Sequence, residues 1–292
     1  MHQRFGVKLS YFKAWKSKEC ALNSVRGTFE ESFHLLPVYC YELEYMNPGT
    51  ITPIKTDEVN CFEYLFVAFG SSIRGFVFHI RHVLAVDGTA LKGKYKGTMY
   101  IASAMDGNEQ IYPVAFGIGD GENDAAYTWF FQNLKDAIGD LHDLVFVTDR
   151  HKVIESAIRR VFPNAFHVLC MYHISRNMKA NGYGKHEGVL MQFYMAAKAY
   201  LVEDFDDHMR KLGKLDINAA QYVQECDPSR WARCHFQGRR YNIMTTNIAE
   251  CMNAVLKDGR EMPIIPLIDY ILDLMRGWFF QRRTTGELLE NQ

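Results

Sequence analysis

The stretch VLAVDGTALKGKYKGTMYIASAMDGNEQIYPVAFGI, residues 83–118, decides how the chain folds. Its first run, Val83 to Val86, is short and apolar and ends at an acid, Asp87, followed by the glycine-rich segment Gly88 to Gly97. Two more runs of strand length, Thr98 to Ala104 and Ile111 to Ile118, flank Asp106-Gly107-Asn108. That tripeptide predicts a hairpin turn, with the glycine supplying a positive φ. The three runs form an antiparallel meander.

Downstream, Asn123-Asp124 can cap a helix running to about Ile138 with Trp129, Phe130 and Leu134 on its buried face. Leu144 to Val147 is a fourth strand that leads into Asp149 much as the first leads into Asp87. Lys152 to Val161 reads as a helix, Phe166 to Leu169 as a fifth strand, and Met171 to Met178 as the start of another helix. The order β-β-β-α-β-α-β-α is that of an RNase H-like α/β fold with a mixed five-stranded sheet. From Val189 to Trp231 only helical periodicity appears, which predicts an all-helical insertion. The expected division is a mostly helical region over 1–80, the first part of the core over 81–182, the insertion over 183–244, and C-terminal helices over 245–292 that complete the core. Within the first region, helices are expected from Tyr11 to about Ser24, ended by Gly27, and from Glu30 to Met46, interrupted at Pro37. Cys61 to Phe69 is apolar enough to be a strand or a helix, and periodicity does not choose between them.

Bulk composition narrows the function classes. With 33 basic against 34 acidic side chains the formal charge is -1, so any contact with nucleic acid must be local rather than a basic face. Seven cysteines, odd in number and scattered, argue against a disulfide framework and for a reducing compartment. No apolar run reaches the roughly 18 residues that span a bilayer, so a soluble protein without a membrane partner is expected.

Asp87, Asp149 and Glu250 carry the chemistry. In a sheet of the expected order the first and fourth strands are neighbours, which brings Asp87 and Asp149 together, and Glu250 would arrive on the helix from Asn247 to Leu256. Like charges held together and partly buried are costly unless a cation offsets them. Mg²⁺ or Mn²⁺, as hard ions with a preference for carboxylate oxygens, fit that need. Two such ions can activate an attacking oxygen and stabilise a leaving one during in-line displacement at phosphorus. Taken singly, each acid also has a plain reading as a turn residue, a helix cap or a solvated side chain.

Val86-Asp87-Gly88-Thr89, Leu91-Lys92-Gly93-Lys94-Tyr95-Lys96-Gly97, Gly121-Glu122-Asn123-Asp124, Thr148-Asp149-Arg150-His151, Cys170-Met171-Tyr172-His173 and Thr245-Thr246-Asn247-Ile248-Ala249-Glu250 closely resemble the Mutator-like (MULE) transposase family, over roughly Phe5 to Arg283. The resemblance implies that Asp87, Asp149 and Glu250 are its catalytic, metal-binding trio. It also implies DNA strand cleavage and transfer, with transposon terminal inverted repeats and target DNA as partners, a homo-oligomer, and a nuclear location such as a plant element would need. Cys170 and His173 match its Cys-x-x-His pair. That pair is open to three roles, namely half a zinc site, a contact to flanking DNA, or a structural hydrogen bond. Zinc is disfavoured because Cys226, Cys234 and His235 offer no second pair of suitable spacing. Phosphate contacts are expected from Lys92, Lys94 and Lys96 after Asp87 and from Arg233, Arg239 and Arg240 before the Glu250 helix. Zinc-binding modules that resemble the family's terminal ones are not recognised before Asp87 or after Glu250, so end recognition is expected to lie outside these residues. The rival expectation is a domesticated relative resembling the far-red-impaired-response regulators, or a decayed transposase-derived protein, acting in DNA binding, transcription regulation or dimerisation without transposition.

Overall fold

A computed structural model describes residues 10–183 and 187–290; Phe5, where the resemblance begins, lies outside the described residues. The chain forms two compact units, one drawn from Met46–Thr89 and Gly97–Val255, the other from Met1–Tyr45, Ala90–Lys96 and Leu256–Gln292.

The larger unit is built on a mixed sheet. Its strands are β1 (Ile54–Thr56), β2 (Phe62–Val67), β3 (Val83–Ala90), β4 (Thr98–Met105), β5 (Ile111–Gly119), β6 (Val145–Thr148) and β7 (Phe166–Leu169). They lie in the order β1-β2-β5-β4-β3-β6-β7. β4 and β5 pair antiparallel, whereas β3, β6 and β7 run parallel, with Ala85 opposite Val147 and Val147 opposite Val168. Parallel strands need crossover connections, and the helices Asp124–Ile138 and Lys152–Val161 supply them. All four residues of β6 are buried, as expected of a strand flanked on both sides by parallel neighbours in a sheet covered on both faces.

Seven strands stand where five were expected. β2 pairs antiparallel with β5, setting Leu65 against Ile118, and β1 pairs with β2. The ambiguous run from Cys61 to Phe69 becomes a strand because the outer edge of β5 is open to it, and Leu65, Phe66 and Val67 are buried there. β1 is only three residues long with an exposed Lys55 and Thr56, so it carries no apolar pattern to read. The hairpin between β4 and β5 also differs from expectation. Gly107 does not take positive φ; Glu109 does, at 61°, while Asp106 Oδ1 accepts hydrogen bonds from the backbone N–H groups of Asn108 and Gln110, each at 2.9 Å. The aspartate holds the loop by its side chain, so the glycine's freedom is not what makes the turn.

Aromatic rings from the Asp124–Ile138 helix cover one part of the sheet. Phe130 meets Phe66 at a centroid distance of 5.6 Å and Phe131 meets Phe146 at 5.4 Å. Gly117 on β5 permits this approach, since a Cβ there would stand 2.6 Å from the Phe130 ring. A second cluster joins Ile248 and Ala249 of the helix Asn247–Val255 to Val83, Ala85, Val145, Val147 and Val168 of the three parallel strands. That packing is what brings the first turn of this helix to the sheet. Between β7 and this helix, Glu187–Lys198, Val202–Leu215 and Ile217–Glu225 enclose a third cluster around Phe193, Phe205, Leu212 and Trp231.

The smaller unit is helical. Tyr11–Arg26 ends at Gly27, whose φ is 74°. Phe29–Met46 runs without interruption through Pro37, contrary to the sequence reading. Its start is fixed by a capping box in which Glu31 N–H donates to Thr28 Oγ1 at 3.2 Å and Thr28 N–H donates to Glu31 Oε2 at 2.9 Å. The C-terminal helix, Ile264–Glu290, is joined to it where Ile265 N–H donates to Ser32 Oγ and Tyr39 O–H donates to Asp269 Oδ1.

Candidate functional site

Asp87 and Asp149 each stand two residues beyond a matched pair, Ala85 and Val147, on adjacent parallel strands. Equal offsets on strands about 4.8 Å apart put both carboxylates at the same end of the sheet and on the same face. Both are half-buried. Asp149 Oδ1 accepts the backbone N–H of His151 at 3.1 Å, which fixes the turn from β6 into the Lys152–Val161 helix. Asp87 Oδ2 accepts Asn253 Nδ2 at 2.8 Å. Asn253 and Glu250 sit three residues apart on the Asn247–Val255 helix and therefore on one face of it.

The electrostatics tie these groups together. Burial, followed by the charge of Asp149, lifts the Asp87 carboxyl to about 6, with Glu250 and Glu122 adding to the rise and His173 opposing it. Three carboxylates thus act on Asp87. Glu122, which precedes the Asp124–Ile138 helix, comes close to the β3 backbone, because a Cβ on Gly88 would lie 2.9 Å from Glu122 Oε1 and 2.8 Å from the Tyr127 hydroxyl. Tyr127 is buried and its hydroxyl has no hydrogen-bond partner; burial and then Glu122 drive its pKa well above the phenol range.

Cys170 and His173 converge on the same place through Thr246. The Thr246 N–H and hydroxyl lie 3.3 and 3.4 Å from Cys170 Sγ, and the hydroxyl is 3.3 Å from His173 Nδ1 and 3.2 Å from Glu250 Oε1. His173 Nε2 is 3.5 Å from that same Glu250 oxygen. Cys170 is fully buried. Burial alone would push its thiol up, but hydrogen bonds from His173 and Thr246 outweigh that and leave it below the ordinary thiol value. The hydrogen bond with Cys170 raises His173 against the pull of burial, with Glu250 and Asp149 assisting.

Glu250 is thereby turned toward Thr246 and His173 while Asp87 is held by Asn253. Among the described residues no three His, Cys, Asp or Glu side chains stand close enough together to hold a metal ion. The donor chemistry nevertheless suits a hard divalent cation, because the groups are carboxylates and Asp87 is driven toward protonation by burial and then by its like-charged neighbours.

The basic residues separate. Lys92, Lys94 and Lys96 belong to the smaller unit, where they are exposed; Lys94 pairs with Glu30, and Lys96 Nζ donates to the Lys92 carbonyl at 3.3 Å. Arg233 donates to Asn242 Oδ1 at 2.6 Å and lies over the Tyr200 ring. Arg239 is exposed. Arg240 is only 5 % exposed and donates to the Trp231 carbonyl at 3.2 Å, so it is part of the interior rather than a surface contact. Trp231 is itself fully buried, with Nε1 donating to the Val223 carbonyl at 3.1 Å.

Asn253, Thr246 and Glu122 went unassigned in the sequence. The spacing Glu250-x-x-Asn253 and the position of Thr246 one turn before Glu250 were available as signals, and Glu122 stood in the quoted motif Gly121-Glu122-Asn123-Asp124 without a role.

Residues 83–177 match the MULE transposase domain. The match agrees with the resemblance carried by the motifs, and it contains Asp87, Asp149, Cys170 and His173, whereas Glu250 lies beyond it. FAR1-RELATED SEQUENCE 5 of Arabidopsis thaliana is 25% identical over 244 residues, which is 80% of this chain and 30% of that protein. The transposase for insertion sequence element IS256 in transposon Tn4001 of Staphylococcus aureus is 29% identical over 211 residues, 63% of this chain and 50% of that protein. The chain spans half or less of the length of these relatives. Over these residues the chain is similar to the MULE transposase domain, and a mixed α/β sheet stands at the centre of the larger unit.

Proposed function

We propose that this chain is the catalytic core of a DDE-type transposase, an RNase H-like domain that cuts and joins DNA with divalent metal at Asp87, Asp149 and Glu250. The observation that carries the reading is the equal register of Asp87 and Asp149 on the adjacent parallel strands β3 and β6, with Glu250 on the helix that packs over those strands. The strand order β5-β4-β3-β6-β7, antiparallel and then parallel, is the order expected of an RNase H-like sheet.

Asp87, Asp149 and Glu250 would hold Mg²⁺ or Mn²⁺. Such ions supply activation of the attacking oxygen and charge stabilisation for the leaving oxygen of a phosphodiester. The chain's own groups divide the remaining work. Asn253 orients Asp87 by its amide, and the backbone of His151 orients Asp149. Thr246 and His173 hold Glu250 Oε1, so Glu250 joins the other two by giving up those bonds. No covalent protein nucleophile is needed, and Cys170, sealed in the interior as an acceptor for Thr246, is not placed to act as one. Transposon ends and target DNA are the proposed substrates, a nuclear location the corresponding site of action, and the exposed Lys92, Lys96 and Arg239 the first candidates for phosphate contact.

A second reading has its own support in FAR1-RELATED SEQUENCE 5, which outreaches the bacterial transposase in the share of this chain it matches. In that reading the domain binds DNA or a second protein without cutting. Nicking of duplex DNA in Mg²⁺ or Mn²⁺ decides between them. The proposal expects nicking by the parent chain and its loss in Asp149→Asn; equal nicking by the variant would overturn the catalytic assignment.

A further inference from the structure

The helix Tyr11–Arg26 buries none of its sixteen residues. Helices of that length are marginal in water on their own, and most helix stability in proteins comes from packing an apolar face. This one has such a face. Tyr11, Trp15, Lys18, Leu22 and Val25 follow one another at spacings of four, three, four and three residues, which sets them in a single stripe. Tyr11 is 87% exposed, Trp15 50% and Val25 84%.

The next helix, Phe29–Met46, repeats the pattern. Glu31, Leu35, Val38, Glu42 and Tyr45 have the same four-three-four-three spacing, and Leu35, Val38 and Tyr45 are exposed by 54%, 64% and 73%. Nine of the 23 exposed large apolar side chains found among the described residues fall within residues 11–46, a concentration that scattered surface residues do not produce. The two helices are opposite in charge. Tyr11–Arg26 carries Lys13, Lys16, Lys18 and Arg26 against Glu19 alone, whereas Phe29–Met46 carries Glu30, Glu31, Glu42 and Glu44 and no lysine or arginine.

We infer that these stripes form a dimer interface, with the Tyr11–Arg26 helix of one copy packed along the Phe29–Met46 helix of a second copy and the same contact repeated by symmetry. One two-fold axis makes both contacts at once, so the surface is self-complementary and closes at two chains. Lys18 stands inside the first apolar row and Glu42 inside the second, whose other acid, Glu31, is held by Thr28 in the capping box at the helix start. Such a residue sets register in helix pairs, since a mismatched alignment leaves it facing an apolar or like-charged neighbour. The interface gives a specific surface to the oligomer expected of a transposase, and it does not depend on the nuclease chemistry.

Sedimentation velocity of the full chain across the micromolar range tests this. The parent chain is expected to be a dimer. Lys18→Glu and Glu42→Lys each place two like-charge pairs at the symmetric interface and are expected to weaken association on the order of tenfold or more. In an equimolar mixture of the two variants, a mixed dimer carries the charge-reversed pair at one contact and the parent pair, Lys18 against Glu42, at the other. Both contacts are then attractive, so the mixture should regain the dimer. Circular dichroism on each variant confirms that helix content is kept. A monomeric parent overturns the inference, as does a dimer that survives both single variants. Failure of the mixture to recover overturns the pairing of Lys18 with Glu42 across the interface. If Lys18→Glu changes only DNA retardation and leaves mass unchanged, the helix serves nucleic acid and not a second copy.

Discussion

Asp87→Asn is expected to stabilise the metal-free protein. The carboxyl rises from an ordinary value of 3.8 to about 6 because of its burial and then the charge of Asp149 beside it. At about 1.36 kcal/mol per pH unit, that rise corresponds to about 3 kcal/mol of native-state destabilisation when Asp87 is ionised. The sign follows from proton binding. Between pH 3.8 and about 6 the folded chain holds a proton that the unfolded chain has released, so stability falls through that window and the full penalty persists above it. An asparagine carries no charge yet keeps an oxygen to accept the Asn253 amide, which leaves a net gain of about 2–3 kcal/mol near pH 7.5. For a domain of this size the melting temperature should rise on the order of 5 °C. Scanning calorimetry in chelator measures it, and a series down to pH 4 should see the two proteins converge. Added Mg²⁺ should stabilise the parent and not the variant. A variant less stable than the parent at pH 7.5, or a difference that grows toward low pH, would refute the account of a carboxyl raised by burial and by the charges around it.

Thr246→Val removes the hydroxyl shared by Cys170, His173 and Glu250, and should cost about 1–3 kcal/mol in urea unfolding, as a buried polar network left half-satisfied does. Trp231→Ala empties the centre of the helical insertion and should cost about 3–5 kcal/mol by the same measurement, with loss of near-ultraviolet ellipticity. Gly88→Ala places a methyl group against the Tyr127 hydroxyl and Glu122, and should cost about 1–3 kcal/mol in the same assay because the tyrosine ring is fully enclosed. Burial, aided by Arg230 and Arg159, holds His167 at about 3, so its neutral form stabilises the fold at neutral pH and that contribution falls as pH drops below about 6.5; His167→Gln should flatten the acid side of a stability profile.

The sequence carried the central strands because each is an apolar run with a turn or cap residue at its end. Phe166–Leu169 and Lys152–Val161 are found where the pattern put them, and Asn123 caps its helix by accepting from Ala126 N–H at 2.9 Å. It could not carry β1 and β2, whose existence depends on an open edge of β5 more than forty residues away. The site divides the same way. The adjacency of Asp87 and Asp149 was legible because strand ends align in a parallel pair. The restraint of Glu250 by Thr246 and His173 was not, since it depends on β7 and the Asn247–Val255 helix meeting in space. Arg240 shows the opposite error. A basic doublet in a loop reads as solvent-exposed, but the loop folds Arg240 inward to the Trp231 carbonyl and only Arg239 stays outside.

Mn²⁺ binding tests the central claim most directly, because Mn²⁺ can be counted by its paramagnetic resonance without knowing which DNA the chain cuts. Titration of the parent chain should show two ions bound in the presence of a short duplex, with binding weakened at least tenfold in Asp149→Asn and in Glu250→Gln. Unchanged binding in both variants would contradict a metal centre at Asp87, Asp149 and Glu250.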